Sequence, residues 1–403
     1  MKTARRDPLA HLAADIDELK QKSLYRPLRV MSGPQAPRTT MDGRPLISLS
    51  SNNYLGLATH PRLIEAALNS VRELGVGSGA VRTIAGTMEL HEELERRLAA
   101  FKNVEAVLTF QSGFTANSGV IPTITTEQDL IVSDELNHAS IIDGVRLSKA
   151  SRTVFPHKDV DGLETVLRAA REKGGPKGPY RAILVITDGV FSMDGDIAPL
   201  PGICAVAERY DAAVMVDDAH ASGVLGRNGR GTIDHFGVHG RVDIQVGTLS
   251  KAVGVLGGYV AGGQHVRDIL VQRARPFLFS TSHPPAVAAA CLAAIDVLEQ
   301  EPERIERLWD NTRFFKAGLE GHGFDTGISE TPITPVIVGE SAVAGRMSER
   351  LFELGVFAPA VVYPTVALDK ARIRTIVSSE HTREELQMCI DAFGSVGREL
   401  ALI

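Results

Sequence analysis

The sequence predicts an α/β protein, with a large domain on a mostly parallel sheet and a smaller C-terminal α+β domain. Three observations predict it. From about residue 52 to 263, short β-branched runs alternate with helical patterns. The runs are almost continuously apolar, which suits strands covered on both faces by crossover helices. After the SHPP segment (282–285) the alternation gives way to long helical stretches with two isolated strand-like runs.

Taken in order, residues 1–50 read as an N-terminal arm. Leu9, Leu12, Ile16 and Leu19 have helical spacing, and the turn-prone stretch 27–43 follows. Residues 51–282 form the large domain. Its expected strands are EAVLTF (105–110), DLIVS (129–133), RAILVITD (181–188), AAVMVDD (212–218), VDIQVGT (242–248) and GGYVAGG (257–263). Residues 283–403 form the small domain. It has helices over 286–300 and 302–321, strand TPVIVG (334–339), a helix around 342–354, strand RIRTIV (372–377) and a final helix from about 382.

A chain of 403 residues exceeds what one minimal core needs. A net charge of −6 gives no electrostatic reason to expect nucleic acid or an anionic membrane as partner. An anionic small ligand is still compatible, because backbone amides can bind phosphate inside an acidic protein. Cys204, Cys291 and Cys389 form no C-x-x-C pair and lie in or beside apolar helical patterns, so buried free thiols and a reducing cytoplasm are expected. The first 24 residues carry charges without an apolar h-region, so a signal peptide is not expected. The stretch Ala286 to Leu298 is too short to span a bilayer and contains Asp296.

In sheets of this kind ligands sit beyond the carboxyl ends of the strands. Four strand ends carry the informative residues. One runs into Asp217-Asp218-Ala219-His220 and one into Asp188 and, further on, Ser192. A third runs into Thr248-Leu249-Ser250-Lys251, and the last into Gln111-Ser112-Gly113-Phe114 and a helix. Pyridoxal phosphate needs such a set. A buried lysine amine forms the Schiff base (Lys251), and a carboxylate keeps the ring nitrogen protonated (Asp217). A helix start with a small residue suits the phosphate (Gly113-Phe114), and a flat side chain covers the ring (His138).

Each signal also has a plainer reading. T-x-S-K alone suits a surface lysine, and His138 alone suits a satisfied histidine at a helix start. Asp217-Asp218-Ala219-His220 could be a metal site, but no third ligand stands at zinc-like spacing, and no metal is expected. GVGSGAVRTIAG (75–86) follows a helical stretch and lacks the G-x-G-x-x-G spacing of a dinucleotide loop, and no P-loop motif occurs. It is the order of the parts along one α/β domain that carries weight.

Eight segments resemble the α-oxoamine synthases, which are fold-type I pyridoxal-phosphate enzymes. They are SNNYLGLATHP (51–61), GSGAVRTIAGT (77–87), SDELNHASIIDGVRLSKA (133–150), TDGVFSMDGDIAPL (187–200), VDDAHASGVLGRNGRG (216–231), TLSKAVGVLGGY (248–259), ARPFLFSTSHPP (274–285) and ARIRTIVSSEHT (371–382). The resemblance implies Lys251 as Schiff-base lysine, Asp217 at the ring nitrogen, His220 at the ring hydroxyl and His138 stacked on the ring. It also implies Gly113 and Phe114 as backbone contacts to the cofactor, Ser192 beside the ring and Thr248 at the phosphate. Ser280 and Thr281 match positions that complete the phosphate site of a neighbouring subunit, which implies a homodimer. Asn52 and Arg374 match positions that hold the amino-acid substrate, and an arginine suits a carboxylate. The implied reaction joins an amino acid to an acyl-CoA, with Lys251 removing the α-proton.

Within the family the expectation is a glycine C-acetyltransferase, joining glycine and acetyl-CoA, on the evidence of NNYLGLA, NHASIIDGVRL, TDGVFSMDG, NGRG and ARIRT. Three places lean instead towards the 8-amino-7-oxononanoate synthases, which condense alanine with a pimeloyl thioester and lose carbon dioxide. These are Gln111 to Phe114, Ser250, and Ser280 to Pro285. The rivals are an aldolase or aminotransferase of the same fold, and a silent scaffold. The joint presence of Lys251, Asp217 and His220 argues against the scaffold.

Overall fold

The computed structural model describes residues 7–22, 24–25 and 27–403. A seven-stranded sheet organises the larger part of the chain. Its spatial order is Ala106–Phe110, Gly258–Gly262, Ile244–Thr248, Ala213–Asp217, Ile183–Asp188, Leu130–Asp134 and Ser151–Phe155. Neighbours from Ile244–Thr248 to Ser151–Phe155 pair in parallel. The strand Gly258–Gly262 is antiparallel to both of its neighbours.

The apolar runs form strands because both of their faces are covered. Ile131, Leu184, Ile186, Met215, Ile244 and Val246 point to one side, where Ala116, Val120 and Ile121 of the helix Gly113–Ile124 meet them. Leu130, Val132, Ile183, Val185, Val214 and Val216 point to the other, against Leu163, Leu167, Ile203 and Cys204. This is period-two alternation with both phases apolar, the pattern of a fully buried sheet. All three cysteines are free and buried.

Three details differ from the sequence reading. The strand Ser151–Phe155 was not expected, because as an edge strand it carries exposed Arg152 and Val154 and lacks the continuous apolar run. The GGYVAGG run is the antiparallel strand, a direction that composition alone does not encode. The turn-prone stretch 27–43 contains the whole strand Arg38–Met41, which pairs with Arg44–Ser48, and that hairpin pairs in turn with Val356–Phe357.

Beyond the sheet, the helix Pro285–Gln300 packs on Pro61–Leu74 and Glu89–Lys102. A second sheet places Ala371–Ile376 between Ile333–Gly339 and Ala360–Val361, all antiparallel. The helices Glu303–Gly321, Ser341–Glu353 and Arg383–Glu399 accompany it. Among the described residues, no helix is long and apolar enough to cross a membrane.

A buried ion pair pins the turn after the strand Ala213–Asp217. Lys102, the last residue of its helix, has a fully buried side chain whose Nζ lies 3.1 Å from Asp218 Oδ2. The same ammonium donates to Ser222 Oγ and to the Arg230 carbonyl, and Asp218 also accepts from the Thr232 backbone N–H. Removing one partner strands the other charge in the interior. Lys102→Met is therefore expected to cost about 3–5 kcal/mol in urea unfolding; a change below about 1 kcal/mol would show that the pair does not pin this turn.

Candidate active site

The carboxyl ends of the strands bring four charged or titratable groups to one place. Asp188 and Asp217 are direct register partners on adjacent parallel strands, so their carboxylates project side by side. Both residues are about 5% exposed. Asp217 is held from two directions: Asn117 Nδ2 donates to Oδ2 at 2.6 Å, and the Ala219 N–H donates to Oδ1 at 2.9 Å. Asp188 Oδ2 accepts from the His138 backbone N–H at 3.0 Å. Burial and the neighbouring charge of Asp217 push Asp188 well above the ordinary carboxylate range.

Lys251 reaches this pair through a tight turn. Thr248 Oγ1 donates to the Gly257 carbonyl at 2.8 Å, and the Leu249 N–H bonds the same carbonyl at 2.8 Å, folding the chain back directly after its strand. Among the described residues, Lys251 Nζ has no hydrogen bond or ion pair. Burial lowers its pKa to about 8, against the opposing pull of Asp217 and Asp188. An amine in that condition reaches its neutral, nucleophilic form more readily than an exposed lysine does.

His138 caps the helix Ala139–Leu147 from the mouth of the site. Its Nδ1 lies 2.7 Å from Ser140 Oγ and accepts from the Ser140 N–H. Ser140 Oγ itself accepts from Asn117 Nδ2 at 2.9 Å, which leaves its proton for His138 Nδ1. Asn117 thus ties the imidazole to Asp217 through two bonds. Burial, with Asp217 opposing it, holds His138 below the usual histidine range. His220 is buried with Nδ1 2.8 Å from the Tyr54 hydroxyl. Burial first, then Lys251, Arg374 and His138, keep His220 well below the usual range and therefore neutral. Burial also raises the Tyr54 hydroxyl. With Nδ1 engaged, Nε2 of His220 is left for another partner.

Arg374 comes from the second sheet. Its Nε donates to the Ser192 carbonyl. Its terminal nitrogens have no partner among the described residues, although burial acts against its charge. The Asn52 Oδ1 is likewise buried without a partner, two residues from Tyr54. At the far side, Ser112 caps the helix Gly113–Ile124 by a reciprocal pair of bonds with Thr115. The first-turn amides of Gly113 and Phe114 have no intrahelical acceptor. A Cβ on Gly113 would lie 3.4 Å from Thr248 Cβ, so the helix start abuts Thr248. One on Gly258 would lie 2.4 Å from Ser112 C and O, so only glycine lets the antiparallel strand approach this helix start. The Gln111 side chain donates to the Thr281 carbonyl at 2.7 Å, which places Thr281 by the same helix start.

The structure thus gathers Lys251, Asp217, His138, His220 and Arg374 with Ser192. It sets Gly113, Phe114, Thr248 and Thr281 along one rim and Asn52 beside Tyr54; no bond places Ser280. Sequence reasoning placed Asp188 at a strand end without giving it a role, and missed Asn117, Ser140 and Tyr54 as parts of the site. Asp188 had a signal, since it ends a strand as Asp217 does. Asn117 lies inside a helix and Tyr54 in a turn, and neither carries a spacing that points to its partner.

These parts fit pyridoxal phosphate: a half-buried amine and a guanidinium head that have no partner among the described residues, a carboxylate fixed by donors, and free helix-start amides. Comparison with known proteins agrees. The aminotransferase class I and II family model matches residues 44–393. The 8-amino-7-oxononanoate synthase of Symbiobacterium thermophilum is 60% identical over 392 residues, covering 97% of this chain and 98% of that protein. The 8-amino-7-oxononanoate synthase 1 of Bacillus subtilis is 55% identical over the same shares. The structure of serine palmitoyltransferase from S. paucimobilis with bound PLP and myriocin superposes with a TM-score of 0.91 at 32% identity, covering 99% of this chain and 100% of that one.

These relatives overturn the expectation of a glycine C-acetyltransferase. The motifs that supported it, such as TDGVFSMDG and ARIRT, build the end of the strand Ile183–Asp188 with the loop after it and the strand Ala371–Ile376. The segments that leaned the other way, Gln111 to Phe114 and Ser250, sit at the helix start and the lysine turn, and they gave the better indication. The chain belongs to the aminotransferase class I and II family and, within it, is a pyridoxal-phosphate-dependent α-oxoamine synthase of fold type I.

Proposed function

We propose that this enzyme is an 8-amino-7-oxononanoate synthase of biotin biosynthesis, condensing alanine with a pimeloyl thioester and releasing the thiol and carbon dioxide. The observation that carries the reading is the 55–60% identity to proteins of that name across 97% of the chain. The site geometry is compatible with it.

In this reading Lys251 would hold the cofactor through its amine, and Asp217 would pair with the ring nitrogen. His138 would cover the ring, Ser192 would lie beside it, and His220 would offer Nε2 to the ring hydroxyl. The amides of Gly113 and Phe114 would receive the phosphate, with the Thr248 hydroxyl once it releases the Gly257 carbonyl; this chain's own Thr281 already adjoins that helix start, and Ser280 and Thr281 of a second copy would complete the site across the interface. When bound, pyridoxal phosphate supplies an electron sink for the electrons released at the amino-acid α-carbon. Lys251, whose pKa burial lowers to about 8, would take the α-proton in its neutral form. Arg374 and Asn52 orient the amino-acid carboxylate, the guanidinium through its unpaired nitrogens.

A homodimer belongs to the same reading. The helix Pro61–Leu74 exposes Ile64, Leu68, Val71 and Leu74 at helical spacing, and Val76 and Ile84 are 79% and 84% exposed. A contiguous apolar stripe of this kind suits burial against a second copy. Ile84 lies near Val81, which bridges to Thr281, so the interface would adjoin the phosphate rim.

Three outcomes are expected. Thiol release with alanine and pimeloyl-CoA exceeds that with glycine and acetyl-CoA; the reverse order would remove the proposed substrates. Lys251→Ala loses borohydride-stable cofactor labelling, and turnover drops by at least about a hundredfold; retained labelling at another residue would reject the lysine assignment. Gly258→Ala pushes the helix start away from Thr248 and weakens cofactor affinity about tenfold or more in equilibrium dialysis; wild-type affinity would mean that this close approach does not shape the phosphate rim.

A further inference from the structure

The loop joining the strand Ile183–Asp188 to the helix Leu200–Arg209 carries Ser192, whose carbonyl holds Arg374. This loop is gripped from two sides. From the second sheet, Arg372 donates to the Met193 carbonyl at 3.0 Å and pairs with Asp194. Glu330 and Thr331 bond the Gly195 carbonyl, and Glu330 Oε2 accepts from the Ile197 N–H at 3.1 Å. From the large sheet, one imidazole does the holding. His157 Nε2 lies 3.0 Å from Asp196 Oδ2 in the loop, and His157 Nδ1 lies 2.9 Å from Asp134 Oδ1 at the end of its strand.

Both carboxylates are almost wholly buried, at 0% for Asp196 and 2% for Asp134. A neutral imidazole has one N–H and can donate to only one of them, so serving both requires the doubly protonated ring. Burial opposes that charge, but the bonds to Asp134 and Asp196 outweigh it and raise His157 to about 9. Lys158 supports the arrangement, with Nζ 3.1 Å from Asp196 Oδ2 and its backbone N–H on Asp134 Oδ2. The His157 ring stands edge-on to Phe191, the residue before Ser192, at a centroid distance of 4.3 Å. Asp134 also accepts from the Leu136 N–H in the turn that leads to His138.

We propose that His157 is a positioning residue, bridging Asp134 and Asp196 so that the Ser192 loop holds Arg374 where it meets the amino-acid carboxylate. The inference rests on the reading of Arg374 given above and extends it to a residue that touches neither cofactor nor substrate. His157 acts by fixing the loop carbonyl that orients the guanidinium. Loosening it therefore degrades amino-acid binding selectively, leaving the cofactor and the acyl thioester in place.

The test uses the holoenzyme and the absorbance change of the bound cofactor on adding alanine, a binding signal independent of turnover. In H157Q, whose uncharged amide has donors on one side and an acceptor oxygen on the other, cofactor content and borohydride labelling are expected to match wild type, while the apparent Kd for alanine rises about tenfold. KM for alanine rises with it, KM for pimeloyl-CoA does not, and kcat changes less than either alanine constant. D196N, which removes the loop end of the bridge, is expected to give the same shift, and H157Q/D196N no more than either single variant. Should H157Q fail to fold or to retain cofactor, D196N alone decides. An unchanged alanine Kd in a cofactor-loaded variant, or additive effects in the double variant, overturns the inference. Absence of any alanine response in the wild-type holoenzyme would instead overturn alanine as the substrate, and with it the reading on which the inference rests.

Discussion

The site depends on an electrostatic constraint: two carboxylates, Asp188 and Asp217, stand side by side where water is scarce, facing an amine that has no fixed partner. Like charges so placed do not both ionise readily, and burial pushes Asp188 well above the ordinary range. Asp217 has the compensating donors, from Asn117 and the Ala219 amide. Two identical side chains at one register therefore acquire different roles from their surroundings, and a cationic ring nitrogen is what Asp217 would complete.

Much of the remaining architecture serves to hold that arrangement still. Lys102 and Asp218 lock the residue next to Asp217 by a fully buried ion pair. Asn117 spans from Asp217 to the hydroxyl that fixes the His138 ring. Among the described residues the second sheet brings Arg374 to the site, and Arg372 of that sheet and Thr331 just before it grip the Ser192 loop, so a long-range arrangement is set by short-range bonds. Side chains held in this way present catalytic groups without reorganisation at the moment of reaction.

The cluster of residues at the strand ends was legible in the sequence because strand ends are legible. Apolar runs that stop abruptly at Asp217, Thr248 and Phe110 announce where a parallel sheet presents its ligands, and Lys251 and His220 follow within a few residues. What could not be read was lateral. The pairing of Asp188 with Asp217 is a matter of register between strands 29 residues apart, and the links from Asn117 and Tyr54 cross the fold without a local pattern. The edge strand Ser151–Phe155 escaped because exposure on one side breaks the apolar run. Acyl preference was misjudged for a related reason: the longest motifs build the chemistry shared across the family, while the discriminating residues are few, and one methylene in a pocket is worth only about 1–3 kcal/mol.

The most direct test of the electrostatic claim is the protonation state of the bound cofactor's ring nitrogen, read from its 15N chemical shift in the holoenzyme. A ring nitrogen that stays protonated between about pH 6 and 9, and loses its proton in Asp217→Asn, is the predicted result. A nitrogen that titrates in that range in the wild type, or is indifferent to the substitution, would contradict the account.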